Sequence, residues 1–158
     1  MMDIEKLRED IAIKEETLDE HRLLNLIVYG EPVAKGRPRF TRQGHAYTPE
    51  KTTAGEKAIR DRWLSKYGSR RPLTGPLEVF VTAYRHMPAS FKADDRERAE
   101  KGFIAPVTRP DVDNYLKLVL DALNGIAYDD DAIIIGCTCK KRYSEIPRTE
   151  IRIIQVSG

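Results

Sequence analysis

Residues 108–134, TRPDVDNYLKLVLDALNGIAYDDDAII, decide the fold. Leu116, Val119, Leu120 and Leu123 recur at i, i+3, i+4 and i+7, the spacing of a helix with one apolar face. Pro110 stands just outside its start and Gly125 fits its stop, so the helix runs from about Asp111 to Gly125. Opposite the leucines, Asp113, Lys117 and Asp121 follow one another four residues apart on a polar stripe. Beyond Gly125 the chain turns, presents Asp129, Asp130 and Asp131, and enters AIIIGCTC (132–139), which reads as a strand. One helix–strand unit thus carries carboxylates at both ends, and the sequence predicts that they converge on one place.

Working outward, LEVFVTAYRH (77–86), LLNLIVYG (23–30) and TEIRIIQV (149–156) read as three further strands, with KKRYSEIPR as the hairpin loop before the last. Thr52 or Thr53 would cap a helix over about 54–67, whose apolar stripe is Ala58, Ile59, Trp63 and Tyr67. PVAKGRPRFTRQGHAYTP (32–49) has turn residues around short extended pieces and predicts a basic hairpin or loop. Residues 88–108 read as a charged, mobile loop holding one or two helical turns. Residues 3–20 form a helix whose stripe, Ile4, Leu7, Ile11 and Leu18, is too narrow for core. The expectation is an α+β fold: a small mixed sheet with two main helices packed on it and an N-terminal helical extension. Residues 1–22 are the acidic extension and 23–158 the domain.

At 158 residues, 41% hydrophobic and 33% charged, the chain is long enough for one domain with a real core. No run approaches the roughly 18–20 apolar residues of a membrane span. The acidic start, MMDIEKLREDIAIKEE, lacks the apolar segment of a signal peptide, so a cytoplasmic protein is expected. Cys137 and Cys139 face one side of a strand with no second Cys or His pair beside them, which reads as packing rather than a zinc site. His21, His45 and His86 share no motif, which leaves little support for Ser-His-Asp or Cys-His catalysis.

Charge is unevenly spread. Residues 1–22 hold four Lys/Arg against eight Asp/Glu, whereas 35–71 hold eleven basic residues against three acidic ones. The segment 111–131 holds six aspartates and one lysine. A basic surface beside a compact acidic cluster suggests polyanion binding around a metal centre. Singly, Asp111 or Asp113 would be a helix cap, the triple aspartate a solvated turn, and Lys117 an ion-pair partner on the helix face. Together they supply the carboxylate oxygens that hard Mg²⁺ takes.

The same residues resemble the RusA-like Holliday junction resolvases, marked by P-D-x-D-N-x-x-K, then D-A-L-N-G and a D-D turn. Here these are Pro110, Asp111, Asp113, Asn114 and Lys117, then 121–125, then Asp130 and Asp131. The upstream basic stretch is similar too, and the likeness covers about residues 25–156. It implies a homodimer that uses Mg²⁺ or Mn²⁺ to nick four-way DNA junctions in pairs, in recombination and repair, and a phage or prophage origin. The family's essential acidic positions fall on Asp111, Asp113 and Asp131, and its catalytic lysine on Lys117. Asp131 is the best match among Asp129, Asp130 and Asp131, with Asp130 a further candidate metal ligand.

Branched DNA needs cations around such a site. Lys35, Arg37, Arg39 and Arg42, with Lys140, Lys141 and Arg142, are the expected phosphate contacts. Phe40, Tyr47 or Tyr143 would stack on unpaired bases. Two rival readings make different demands. A metal-dependent nucleotide phosphohydrolase needs a compact nucleotide pocket, and a non-catalytic junction-binding module needs no metal-dependent cleavage.

Overall fold

The computed structural model describes residues 2–17, 23–68 and 70–156. Its sheet is built from the three predicted apolar runs and the strand after the aspartates. They are β1 (Leu23–Tyr29), β4 (Leu77–Arg85), β5 (Ile134–Tyr143) and β6 (Arg148–Gln155), in the spatial order β1-β6-β4-β5. Alternation along β4 shows why: Leu77, Val79, Val81 and Ala83 are buried while the residues between them are mostly half-buried. β6 runs antiparallel to both β1 and β4, opposing Leu26 to Ile151 and Val79 to Ile153. β5 runs parallel to β4, because the chain between them crosses over through two helices. The result is the mixed sheet of an α+β fold, as the sequence predicts.

Two helices cover one face. α2 (Glu50–Tyr67) contributes Ile59, Trp63 and Tyr67, and α4 (Val112–Leu123) contributes Leu118, Val119, Ala122 and Leu123, all buried in one core with the inward residues of the strands. The buried face of α4 is centred one residue away from the predicted leucine stripe: Tyr115 and Leu118 are buried, while Leu116 and Leu120 pack at its margin. α2 also begins earlier than expected. Pro49 occupies its cap position, and the Thr52 hydroxyl instead accepts the Gly36 N–H at 2.9 Å.

Other departures are local. β5 extends to Tyr143, so Lys140, Lys141 and Arg142 lie on a strand, and the expected hairpin before the last strand is not formed: β4 lies between β5 and β6, and residues 144–147 carry the chain across it. The segment after β4 is no loose loop: α3 (Ala93–Glu100) buries Ala99 and ties Arg96 to Glu145, with the Arg96 Nη2–Glu145 Oε2 contact at 2.6 Å. The basic hairpin is present as two short strands, β2 (Arg39–Phe40) and β3 (Ala46–Tyr47). α1 (Ile4–Thr17) buries Ile11 and pairs Lys14 with Glu150 and Glu15 with Arg62, which fastens it beside β1. Leu18, His21 and the boundary at 22/23 lie outside the described residues.

Candidate active site

The start of α4 is set by the chain before it. Lys141, on β5, donates to the carbonyls of Thr108 at 2.8 Å and Pro110 at 3.1 Å. Arg85, on β4, donates to the Thr108 carbonyl at 3.1 Å. These bonds deliver Asp111 to the cap position of α4 in extended backbone, where an aspartate ordinarily accepts a hydrogen bond from the first turn. Asp111 makes no such side-chain bond. Asp113, in the first turn, accepts only from the adjacent Asn114 N–H, at 3.0 Å. Both carboxylates are exposed, as is Lys117 one turn further along the same stripe. The cap reading of Asp111 therefore fails on the geometry, and its oxygens are open to a ligand.

The other carboxylates gather at the far end of the helix. The Asp131 N–H donates to Asn124 Oδ1 at 3.1 Å, and Asp130 caps a single turn of 3₁₀ helix (Asp131–Ile133) by accepting from Ala132 N–H. Contact with the Asp130 carboxyl raises the pKa of Asp131, helped by the slight desolvation of the group and by the charges of Asp130 and Asp121. The expected convergence does not occur within one protomer. α4 has 12 residues, which at the helical rise puts roughly 18 Å between Asp111 and Asp113 at its N-terminal end and Asp131 at the other. Among the described residues no group of three or more His, Cys, Asp or Glu stands ready for a metal ion.

The basic residues divide into two sets. Lys35 is not a free phosphate contact, since its ammonium bonds Glu56 at 2.5 Å and Asp121 at 3.0 Å between α2 and α4. Desolvation works against that charge, but the bonds to Glu56 and Asp121 outweigh it and raise the lysine pKa. Its backbone N–H donates to the Asn114 carbonyl at 2.8 Å, so the segment is pinned to α4. Lys141 is occupied by the two loop carbonyls, and Arg142 donates to the Glu100 carbonyl at 2.9 Å while lying over the Tyr84 ring. Arg37, Arg39, Arg42 and Lys140 are exposed, and none has an ion-pair partner among the described residues. Arg37 and Arg39 line a groove of about 340 Å³ with Lys51, at the start of α2, which charge counting along the chain did not single out. Phe40 and Tyr47 present exposed rings on the hairpin, whereas Tyr143 packs edge-on against Phe91 at 5.4 Å.

Cys139 faces the core beside Leu116, and burial pushes its thiol up to about 11, which keeps it protonated and inert.

A family profile described as Endodeoxyribonuclease RusA matches residues 29–154, most of the chain and the whole of the sheet-and-helix unit apart from its first and last few residues. The chain belongs to the RusA endodeoxyribonuclease family. A RusA-like resolvase is thus the correct reading of the P-D-x-D-N-x-x-K window. The chain is also 42% identical over 149 residues to the uncharacterized protein YqaN of Bacillus subtilis (strain 168), covering 85% of this chain and 98% of that one. α1 lies outside the RusA match. None of the described helices is long and apolar enough to cross a membrane.

Proposed function

We propose that this RusA-family chain is a Mg²⁺- or Mn²⁺-dependent endonuclease that resolves four-way DNA junctions by paired nicking, as a homodimer, in recombination and repair. The observation that carries the reading is the start of α4, where Asp111 sits at a cap position without capping and Asp113 lies exposed beside it. Carboxylates left open within the fold are suited to a ligand from outside it. An all-oxygen pair fits a hard divalent cation, which takes one or two carboxylates and fills its shell with water and substrate phosphate.

Asp111 and Asp113 would hold the ion, which when bound supplies a water of lowered pKa and neutralises charge on the phosphate. Lys117 would set a compact positive charge against the scissile phosphate as negative charge builds there. The N-terminal end of α4 adds partial positive charge at the same place. Arg37, Arg39, Arg42, Lys51 and Lys140 would grip flanking phosphates, and Phe40 and Tyr47 would stack on bases unpaired at the branch.

A four-way junction has two-fold symmetry, and a C2 dimer sets two equal sites against it. The dimer also accounts for Asp131. Held at the far end of α4, it would serve the site of a second copy, with Asp130 beside it, and the partner subunit's Asp131 would complete this one.

The test is cleavage of four-way, flap and linear DNA with and without EDTA. Asp113→Asn should abolish metal-dependent cleavage and leave DNA binding equal or tighter, since it removes negative charge facing phosphate. Ca²⁺ should support binding without turnover. Full cleavage by Asp113→Asn in Mg²⁺ would remove the central claim. Binding with no cleavage in any metal would favour the junction-binding module.

A further inference from the structure

The sheet has a second face. α2 and α4 fill the side lined by Val79, Val81, Ile151 and Ile153, whereas the other side carries α1 along β1, and α3 where β5 ends and β6 begins. Between α1 and α3 the floor is open, and strand register sets its rows. Phe80 stands between Arg152 and Thr138, and Thr82 between Glu150 and Lys140. A trough of about 130 Å³ lies here, lined by Lys14, Asn25, Phe80, Thr82, Glu150 and Arg152.

Arg152 is the unusual member. Its guanidinium lies over the Phe80 ring, 4.8 Å from the centroid, which fixes the plane of the fork. Yet it makes no ion pair among the described residues, and its Nε–H is buried with no acceptor. Such a donor costs free energy that an incoming anionic oxygen would recover. The Nε and Nη edge of a guanidinium matches two oxygens of one phosphate. Glu150 would repel an anion, but Lys14 at 2.7 Å and Arg148 at 3.1 Å already neutralise it. Lys140, exposed and without an ion pair among the described residues, adds a second cation at the rim.

We propose that this trough seats a backbone phosphate of DNA, held by Arg152 with Lys140, on the face of the sheet opposite α4. The proposal rests on the DNA-binding reading above and gives it a second contact surface. At about 130 Å³ the trough is smaller than the roughly 300–1,000 Å³ of pockets that enclose a whole small ligand, so it takes one group of a longer molecule. Among long polyanions, DNA is the one on which the family acts. Because the sheet lies between the two places, the seated phosphate belongs to a different stretch of DNA from the one presented to Asp111, and a branched substrate supplies such a stretch.

The test is binding of a four-way DNA junction by the full chain, followed by fluorescence anisotropy across a salt series, with EDTA present so that no strand is cut. Arg152→Gln should weaken affinity about tenfold and reduce the slope of log affinity against log salt by about 1 for each protomer engaged. Arg152→Lys keeps the charge and should keep the slope while losing the paired hydrogen bonds, a pattern that a merely structural arginine would not give. Lys140→Gln changes an exposed side chain, so it spares the fold, and it should lower the slope by a similar amount. Exchanging chloride for inorganic phosphate at constant ionic strength should leave wild-type affinity nearly unchanged. A large loss that Arg152→Gln abolishes would mark a seat for free phosphate and overturn the assignment to DNA. A slope that Arg152→Gln or Lys140→Gln leaves unchanged overturns the proposal, as does an Arg152→Lys slope as low as that of Arg152→Gln. No cleavage is read and Asp113 is left intact, so failure here is separate from failure of the Asp113→Asn test.

Discussion

Gly55→Ala sets two opposed effects against each other and gives a sign to measure. Gly55 lies buried inside α2, where alanine is favoured over glycine by roughly 1 kcal/mol from helix propensity alone. A Cβ at this position would meet Val33 Cβ and Cγ1 at 2.8 Å and Cγ2 at 3.2 Å. Carbon atoms rest at about 3.5–4.0 Å, so two contacts are short by close to an ångström. A rotamer change cannot relieve them, because the Val33 Cβ is itself one of the atoms struck and the side chain is β-branched. The Val33 backbone must move, yet Lys35 N–H is bonded to the Asn114 carbonyl and Gly36 N–H to Thr52 Oγ1 just beyond it. Overpacking of this kind costs roughly 1–3 kcal/mol, which exceeds the propensity gain over most of that range. The net loss should be about 1 kcal/mol, read by calorimetry as a Tm lower by roughly 2–4 °C. DNA affinity should fall with it, since Val33 leads into the segment that sets Arg37. A Tm above that of the wild type would refute the reasoning and show that the basic segment yields to α2.

Other expectations follow from the same contacts. Arg37→Ala with Arg39→Ala should weaken binding to all DNA forms and reduce the slope of log affinity against log salt by about 2, measured by fluorescence anisotropy across a salt series. Lys117→Ala should lower the single-turnover cleavage rate far more than affinity, and an equal loss in both would deny it a role at the scissile phosphate. Burial alone would raise the pKa of Glu150, but its bond to Lys14 and the charges of Arg148 and Lys14 hold it below the usual glutamate range. A depressed carboxyl pKa contributes stability that is present above the unfolded value and lost as pH falls through the folded one. Lys14→Met should therefore lower stability most at neutral pH, and the difference from wild type, followed by denaturant unfolding across a pH series, should shrink as pH falls through the glutamate range.

The helix at Val112–Leu123 was legible because its apolar residues recur with the helical period and its polar stripe is unbroken. The four sheet strands and the basic hairpin were legible on similar local grounds. Charge proved a poorer guide, because a sequence shows a lysine and not its partner. Lys35 reads like Arg37, yet Glu56 and Asp121 reach it from two helices and convert a phosphate contact into a strut. Lys141 and Arg142 likewise hold carbonyls of segments far away in sequence. Thr52 was mistaken for a cap because its hydroxyl serves Gly36, which only the tertiary approach of the two segments reveals. The spacing of Asp111, Asp113 and Asp131 suggested a cluster, but a helix is a rigid rod and keeps its two ends apart.

The register of the sheet bears on how the protein is made. Leu23 and Leu24 pair with Ile154 and Ile153, so the first strand of the sheet waits for its last. β6 also separates β1 from β4, so those two earlier strands cannot join directly. Closing so long a loop must precede the contacts that reward it, which slows folding relative to locally connected domains. On a ribosome that adds roughly 5–20 residues per second, the helices can form early while the sheet must await release of β6. A nascent chain therefore carries the acidic and basic segments into the cell before the scaffold that orients them exists. Any DNA-cutting competence would arise only once β6 has been made.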